Sequence, residues 1–179
     1  MVTYVALLRG INVGKNNQIA MADLRELLSG LGFTDVATLL RSGNAVFTTG
    51  ERTPAEIAAE IEGAITERLG LRIRCLVRTA AELRAVIDAD PMRGKEINGS
   101  RYLALFLDHP IDQNLLARHD PRELDTGNVF LGDRVVYQWC PDGIMAAPGV
   151  TAFVEKKLDV VVSNRNWNTV TKLAAMLEG

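Results

Sequence analysis

Arg9-Gly-Ile-Asn-Val-Gly-Lys15 is the stretch of this 179-residue chain whose residue types most readily suggest ligand chemistry. Gly10 and Gly14 free the backbone, Arg9 and Lys15 supply positive charge, and Asn12 carries an amide that both donates and accepts. A loop of this kind before a helix start can hold a phosphate or carboxylate on backbone N–H groups. It is not a triphosphate loop. The spacing G-x-x-x-G-K is one residue short of G-x-x-x-x-G-K, and Asn16 stands where Ser or Thr would hold magnesium. The same Asn and Gly residues can equally do no more than close a tight loop by bonding its own backbone. A second cluster, Arg165, Asn166, Asn168 and Lys172, surrounds a helix start near the end of the chain. There Asn164 or Asn166 can cap the helix, and Arg165, Thr169 and Lys172 would share one stripe at i, i+4, i+7. Trp167 falls on the apolar stripe with Val170 and Leu177 and reads as a core anchor rather than a stacking platform.

Other chemistry is thin. His109 precedes Pro110 and His119 precedes Asp120-Pro121, both loop contexts. No G-x-S-x-G elbow, H-E-x-x-H helix or Cys–His arrangement occurs. Cys75 alternates with Ile73 and Val77 and reads as a small buried hydrophobe, while Cys140 precedes Pro141 at a strand end. With no C-x-x-C pair, neither a disulfide framework nor a structural metal is expected, and no cofactor is implied. Asp88, Asp90, Glu123 and Asp125 sit near helix ends and turns, where acids are ordinary. Arg72, Arg74 and Arg78 share one face of a strand at a sheet edge, where charge discourages edge-to-edge pairing. As a nucleic-acid surface they lack interleaved aromatics.

Lys and Arg total 20 against 22 Asp and Glu, a formal net charge of −2, so a polybasic nucleic-acid protein is excluded and any anion site must be local. At 47% hydrophobic residues the chain has the composition of a globular domain. The apolar run Val2–Leu8 follows no basic segment and is too short for a signal peptide or a membrane span, so a soluble cytoplasmic protein is expected.

The elements that must position these residues follow from periodicity. Val2–Leu8 reads as a strand apolar on both faces, and Arg9–Gln18 as a loop. Met21, Leu24, Leu27, Leu28 and Leu31 have helical spacing, stopped by Gly32. Val36–Leu40 and Ala45–Thr48 flank Ser42-Gly43-Asn44 as a hairpin. Thr53-Pro-Ala-Glu56 and Thr79-Ala-Ala-Glu82 are capping boxes, each opening a helix, with a strand alternating from Leu71 to Val77 between them. This is the β-α-β-β-α-β order of a ferredoxin-like unit. The polar stretch 90–100 is the expected connector between a first half, 1–89, and a second, 101–179. The second half repeats the plan with the strand Tyr102–Leu107, a short helix at Leu115 and Leu116, a hairpin turning at Gly132-Asp133, a helix at Phe153–Leu158 and a last helix from about Asn166. The first strand needs cover on its second face, which the other half is expected to supply by packing on it or extending the sheet. The second strand is expected to run antiparallel to the first, so the Arg9–Gln18 loop and the Ser42–Asn44 turn should lie at opposite ends of the sheet and not meet unless Arg9 or Arg41 reaches along a strand.

Four phrases, Arg9-Gly-Ile-Asn-Val-Gly14, Ser42-Gly-Asn-Ala-Val-Phe47, Glu155-Lys-Lys-Leu158 and Arg165-Asn-Trp-Asn-Thr-Val170, stand in an order that resembles the uncharacterised bacterial family called domain of unknown function 1697 (DUF1697). The resemblance spans essentially the whole chain and implies an α+β fold of two ferredoxin-like halves, without an activity. The chain departs from the family pattern at Lys15, Ala20, Arg41 and Ala147-Pro148, where members carry Gly, Pro, Gln and a Ser–Lys pair. The leading expectation is a binder of a small anionic or polar ligand, a nucleotide or short nucleic acid included, through Arg9, Asn12 and Lys15 and separately through Arg165, Asn166, Asn168 and Lys172. The alternatives are an interaction module that pairs with itself or a partner through a sheet edge, and a small-substrate enzyme whose site is assembled from distant loops.

Overall fold

The computed structural model describes residues 1–178. They fall into two compact units, Met1–Arg84 with the chain from Leu173 onward, and Ala85–Lys172. The first unit is built from β1 (Val2–Leu8), α1 (Met21–Gly30), β2 (Thr34–Leu39), β3 (Asn44–Thr49), α2 (Pro54–Leu69), β4 (Cys75–Thr79) and the start of α3 (Ala80–Asp88). Both capping boxes form. Thr53 Oγ1 accepts from the Glu56 amide at 3.2 Å, and Glu82 Oε1 accepts from the Thr79 amide at 3.0 Å. Each box satisfies two helix-end donors with one short motif, which is why these two helix starts are readable from sequence.

The sheet order is β2-β3-β1-β4, every neighbouring pair antiparallel. β1 and β2 are therefore both antiparallel to the β3 between them and run the same way. Their carboxyl ends lie at one end of the sheet, which overturns the expectation that the loops following them stay apart. Local pattern gives each strand, but direction relative to a non-neighbour depends on which strand is inserted between them. Tyr4, Ala6 and Leu8 of β1 pack with Leu24 and Leu28 of α1 and with Ile57, Ile61 and Ile65 of α2. Phe33 and Phe47 stack there at 4.5 Å. Val5 and Leu7, on the other face of β1, are also fully buried, as its unbroken apolar run requires. The strand expected from Leu71 begins only at Cys75.

The second unit contains β5 (Tyr102–Leu107), α4 (Gln113–Arg118), β6 (Val129–Gly132), β7 (Val135–Trp139), α5 (Val150–Leu158), β8 (Val162–Asn166) and the start of α6 (Trp167–Glu178). Its order, β6-β7-β5-β8, is the first unit's order repeated. Leu103, Leu105 and Leu107 of β5 pack against Val150, Val154 and Leu158 of α5. The hairpin turns at Asp133-Arg134, one residue later than its sequence suggests, with Arg134 at φ 53°.

β8 is a strand that hydrophobic patterning misses. Val162 continues a valine run, but Ser163-Asn-Arg-Asn166 reads as loop or helix start. Ser163 and Arg165 are nonetheless buried in the ladder with β5. Arg165 is thus a strand residue, and the helical stripe Arg165–Thr169–Lys172 does not form.

The repetition reaches individual hydrogen bonds. At the exit of β1 the Leu8 amide donates to Gly43 O and the Arg9 amide to Arg74 O, both at 2.9 Å. At the exit of β5 the Leu107 amide donates to Arg134 O and the Asp108 amide to Val161 O, at 2.9 and 3.1 Å. No helix among the described residues is long and apolar enough to cross a membrane.

Candidate functional site

The end of the first sheet where β1 and β2 both finish brings together the loop 9–20 and the turn 40–44. Asn12 joins them. Its Nδ2 donates to Ile19 O at 2.9 Å and to Arg41 O at 2.7 Å, and its Oδ1 accepts from the Ile19 amide at 2.9 Å. Its own amide donates to Asn17 O at 3.0 Å. The backbone there is left-handed, φ 56°, a conformation Asn tolerates better than most residues. Gln18 extends the tie, donating to Gly14 O at 2.9 Å and accepting from Arg41 Nη2 at 3.3 Å. On the turn side, buried Asn44 donates to Leu39 O at 2.8 Å and Ser42 Oγ at 2.9 Å. Gly43 has φ 90°, and a Cβ there would stand 2.8 Å from both Leu8 Cβ and Ile11 Cδ1. The turn fits against β1 only because this residue has no side chain.

Asn12 is therefore a fastener whose side chain is consumed by protein carbonyls and an amide. Arg9, Lys15 and Arg41 are exposed, and segments 9–18 and 40–44 contain no acidic residue. Glu62 of α2 is paired with Arg74 at 3.3 Å. The helix that follows the loop, α1, has Ala20 at its N-cap and no side-chain cap. Arg41 was not among the sequence candidates. Its signal is topological: it becomes a neighbour of the Arg9–Gln18 loop only once β1 and β2 are seen to run in the same direction.

The second group of candidates is arranged around structural tasks. Asn166 caps α6, its Oδ1 accepting from the Thr169 amide at 3.0 Å and from Thr169 Oγ1 at 3.2 Å. Arg165, 8% exposed, donates to Ser163 Oγ at 3.0 Å and Asn164 O at 2.7 Å. The Asn168 side chain lies over Gly99 so closely that a Cβ there would collide with it. Lys172 is exposed on α6. Trp167 packs against Tyr102 and Tyr137, centroids 4.9 and 6.1 Å away, which bears out its reading as an anchor. The Tyr102 hydroxyl donates to Asp90 at 2.5 Å and the Tyr137 hydroxyl to Val86 O at 2.6 Å. Burial and the Asp90 charge push Tyr137 up to about 12 and hold Tyr102 well above the ordinary phenol range, so both stay protonated.

Two further places carry titratable groups. A cleft of about 170 Å³ in the second unit is lined by Asp125, Cys140, Asp142 and Pro148 among others. Burial and the Asp125 charge raise the Cys140 thiol above its ordinary range. His109 Nδ1 lies 2.9 Å from Pro110 O and its Nε2 lies 3.1 Å from Asp159 O. Only the imidazolium can donate to both carbonyls. Among the described residues no group of three or more His, Cys, Asp or Glu is arranged to hold a metal.

An α+β protein of two ferredoxin-like halves is the class these features define. The family model "Protein of unknown function (DUF1697)" matches residues 1–137, and the chain belongs to that family. No curated protein is significantly similar to it. Among solved structures it is similar to a conserved bacterial protein from Streptococcus pneumoniae, with 20% identity, a TM-score of 0.74 and 98% of each chain covered. That likeness extends the two-half fold across the whole length.

Proposed function

We propose that the protein binds a small anionic ligand on the platform formed by residues 9–18 and 40–44. The observation that carries this reading is the Asn12 amide, which fastens loop to turn and so places Arg9, Lys15 and Arg41 on adjoining, acid-free segments. Charged side chains at such a preformed site act as charge-assisted donors to phosphate or carboxylate oxygens. Little ordering cost falls on binding, because the loop is already closed by its own hydrogen bonds. Titration calorimetry of the whole protein against inorganic phosphate, nucleotides and an RNA octamer tests the reading. It predicts binding heat for at least one anion, weakened by about tenfold or more by Lys15→Ala with Arg41→Ala, since each removed cation is a charge-assisted contact worth about 1.5–3 kcal/mol. No heat with any anion, or unaltered affinity in the double variant, contradicts it.

A second reading, pairing with a partner or a second copy through a sheet edge, is favoured by β2. It is hydrogen-bonded to β3 on one side, and its residues are half-buried or exposed. Sedimentation showing only monomer at high concentration argues against self-pairing.

A further inference from the structure

We infer that the anion recognised by the platform is the acidic part of a polypeptide segment that also carries an aliphatic side chain, with its carboxylates on Lys15 and Arg41 and its apolar group on Val13 and Leu40. The inference rests on the anion-binding reading above and names its ligand class. Val13 is 72% exposed and Leu40 53% exposed. They directly follow and precede the two residues joined by the Asn12 Nδ2–Arg41 O bond. Two large aliphatic side chains thus stand in water beside the cations rather than in a core.

Leu40 is the more telling. Its φ is 60°, in the left-handed region where a Cβ crowds the following carbonyl, and where Gly or Asn would sit without that penalty. A leucine there burdens the free protein twice, through backbone strain and through apolar surface left in water. Strain of this kind persists where the surrounding structure imposes it, here the turn fastened to the loop, and a partner that covers the side chain recovers the apolar part.

The surrounding chemistry selects the occupant. Segments 9–18 and 40–44 hold three cations, no acid and no aromatic residue. Single-stranded nucleic acid binds such surfaces by stacking bases on aromatic rings, which are missing here, whereas aliphatic side chains suit an aliphatic partner. Inorganic phosphate makes no use of Val13 or Leu40. β2 ends at Leu39 and has β3 on one side, so an extended segment meeting Leu40 also meets backbone donors and acceptors of a sheet edge.

The test is fluorescence anisotropy with the full chain and three labelled probes: the acetylated peptide Glu-Glu-Leu-Glu-Leu-Glu-Glu, a seven-residue Glu peptide, and an RNA octamer. The expected result is binding of the Leu-containing peptide about tenfold more tightly than the Glu peptide, roughly the effect of covering one aliphatic side chain. Leu40→Gly, which relieves the left-handed strain and so folds at least as well, brings the two peptides to equal affinity. Val13→Ser moves them in the same direction. Lys15→Ala with Arg41→Ala weakens both. Equal affinities in the parent protein, or an unchanged preference in Leu40→Gly, overturn the inference and leave anion binding standing. RNA bound more tightly than the Leu-containing peptide does the same. If none of the three probes binds, the inference falls, and the anion reading falls with it only where titration with inorganic phosphate and nucleotides also gives no heat.

Discussion

Asn12 shows how much one side chain can organise. Its three side-chain hydrogen bonds span loop and turn, and its left-handed backbone sets the path between them. Asn12→Gly keeps that backbone accessible while deleting the bonds, and is expected to lower stability by about 1–3 kcal/mol, read from denaturant midpoints. Asn12→Ala, which adds left-handed strain, is expected to cost more. A glycine variant as stable as the parent protein shows that the fastener is dispensable. His109 makes a second residue-scale prediction. Its two carbonyl partners and the nearby Asp108 raise its pKa in the folded state. Its stabilisation is therefore fully present below the unfolded value of about 6.5 and is lost as pH rises through the raised folded value. The advantage of the parent protein over His109→Gln should shrink between pH 6 and pH 8. The effect is small, because the ring is 52% exposed and solvent screens it. An advantage that grows with pH contradicts the carbonyl clamp.

At the scale of elements, the turn between β2 and β3 is held against β1 by close approach at Gly43. Gly43→Ala meets Leu8 Cβ and Ile11 Cδ1 and must also adopt φ 90°, so it should destabilise by about 2–4 kcal/mol, measured by chemical denaturation. A loss below about 0.5 kcal/mol, the range of an ordinary surface change, shows that the turn is not pressed against β1. The elements legible in the sequence are those whose signal is local. The two Thr–Glu boxes, the apolar run of β1 and the 3.6-residue stripes of α1 and α2 all depend on neighbours within a turn or two. β8 escapes because its ladder to β5 buries Ser163 and Arg165, residues that no hydrophobic pattern places in a sheet. The meeting of loop and turn escapes for a different reason. Strand direction around an inserted neighbour is a property of topology, and the Asn12–Arg41 bond links residues 29 positions apart. Within the candidate site, the chemistry of Arg9 and Lys15 was readable, the bonding role of Asn12 was one of its two readings, and the contribution of Arg41 was hidden.

For the molecule as a whole, one plan is used twice, down to the pair of amide bonds at each central strand's exit, while the residues at the two exits differ. The first exit gathers Arg9, Lys15 and Arg41, and the second carries Asp108, His109, Asp133 and Arg134, acids and bases mixed. A duplicated scaffold whose exit loops diverge in charge lets recognition reside in one half without altering the architecture of the other. With a formal net charge of −2, the molecule's overall field does not attract anions, so the proposed anion binding has to come from local charge on the platform. Binding should weaken as ionic strength rises, most steeply up to about 0.15 M, where the Debye length is near 8 Å. Affinity independent of salt contradicts an exposed cationic site. The most direct measurement is an NMR titration of the isotopically labelled whole protein with inorganic pyrophosphate. Saturable amide shifts concentrated in residues 10–18 and 40–44, and moved to pyrophosphate concentrations at least about tenfold higher by Lys15→Ala with Arg41→Ala, are the predicted result. A titration that leaves both segments unmoved, or that shifts residues 165–172 instead, contradicts the account.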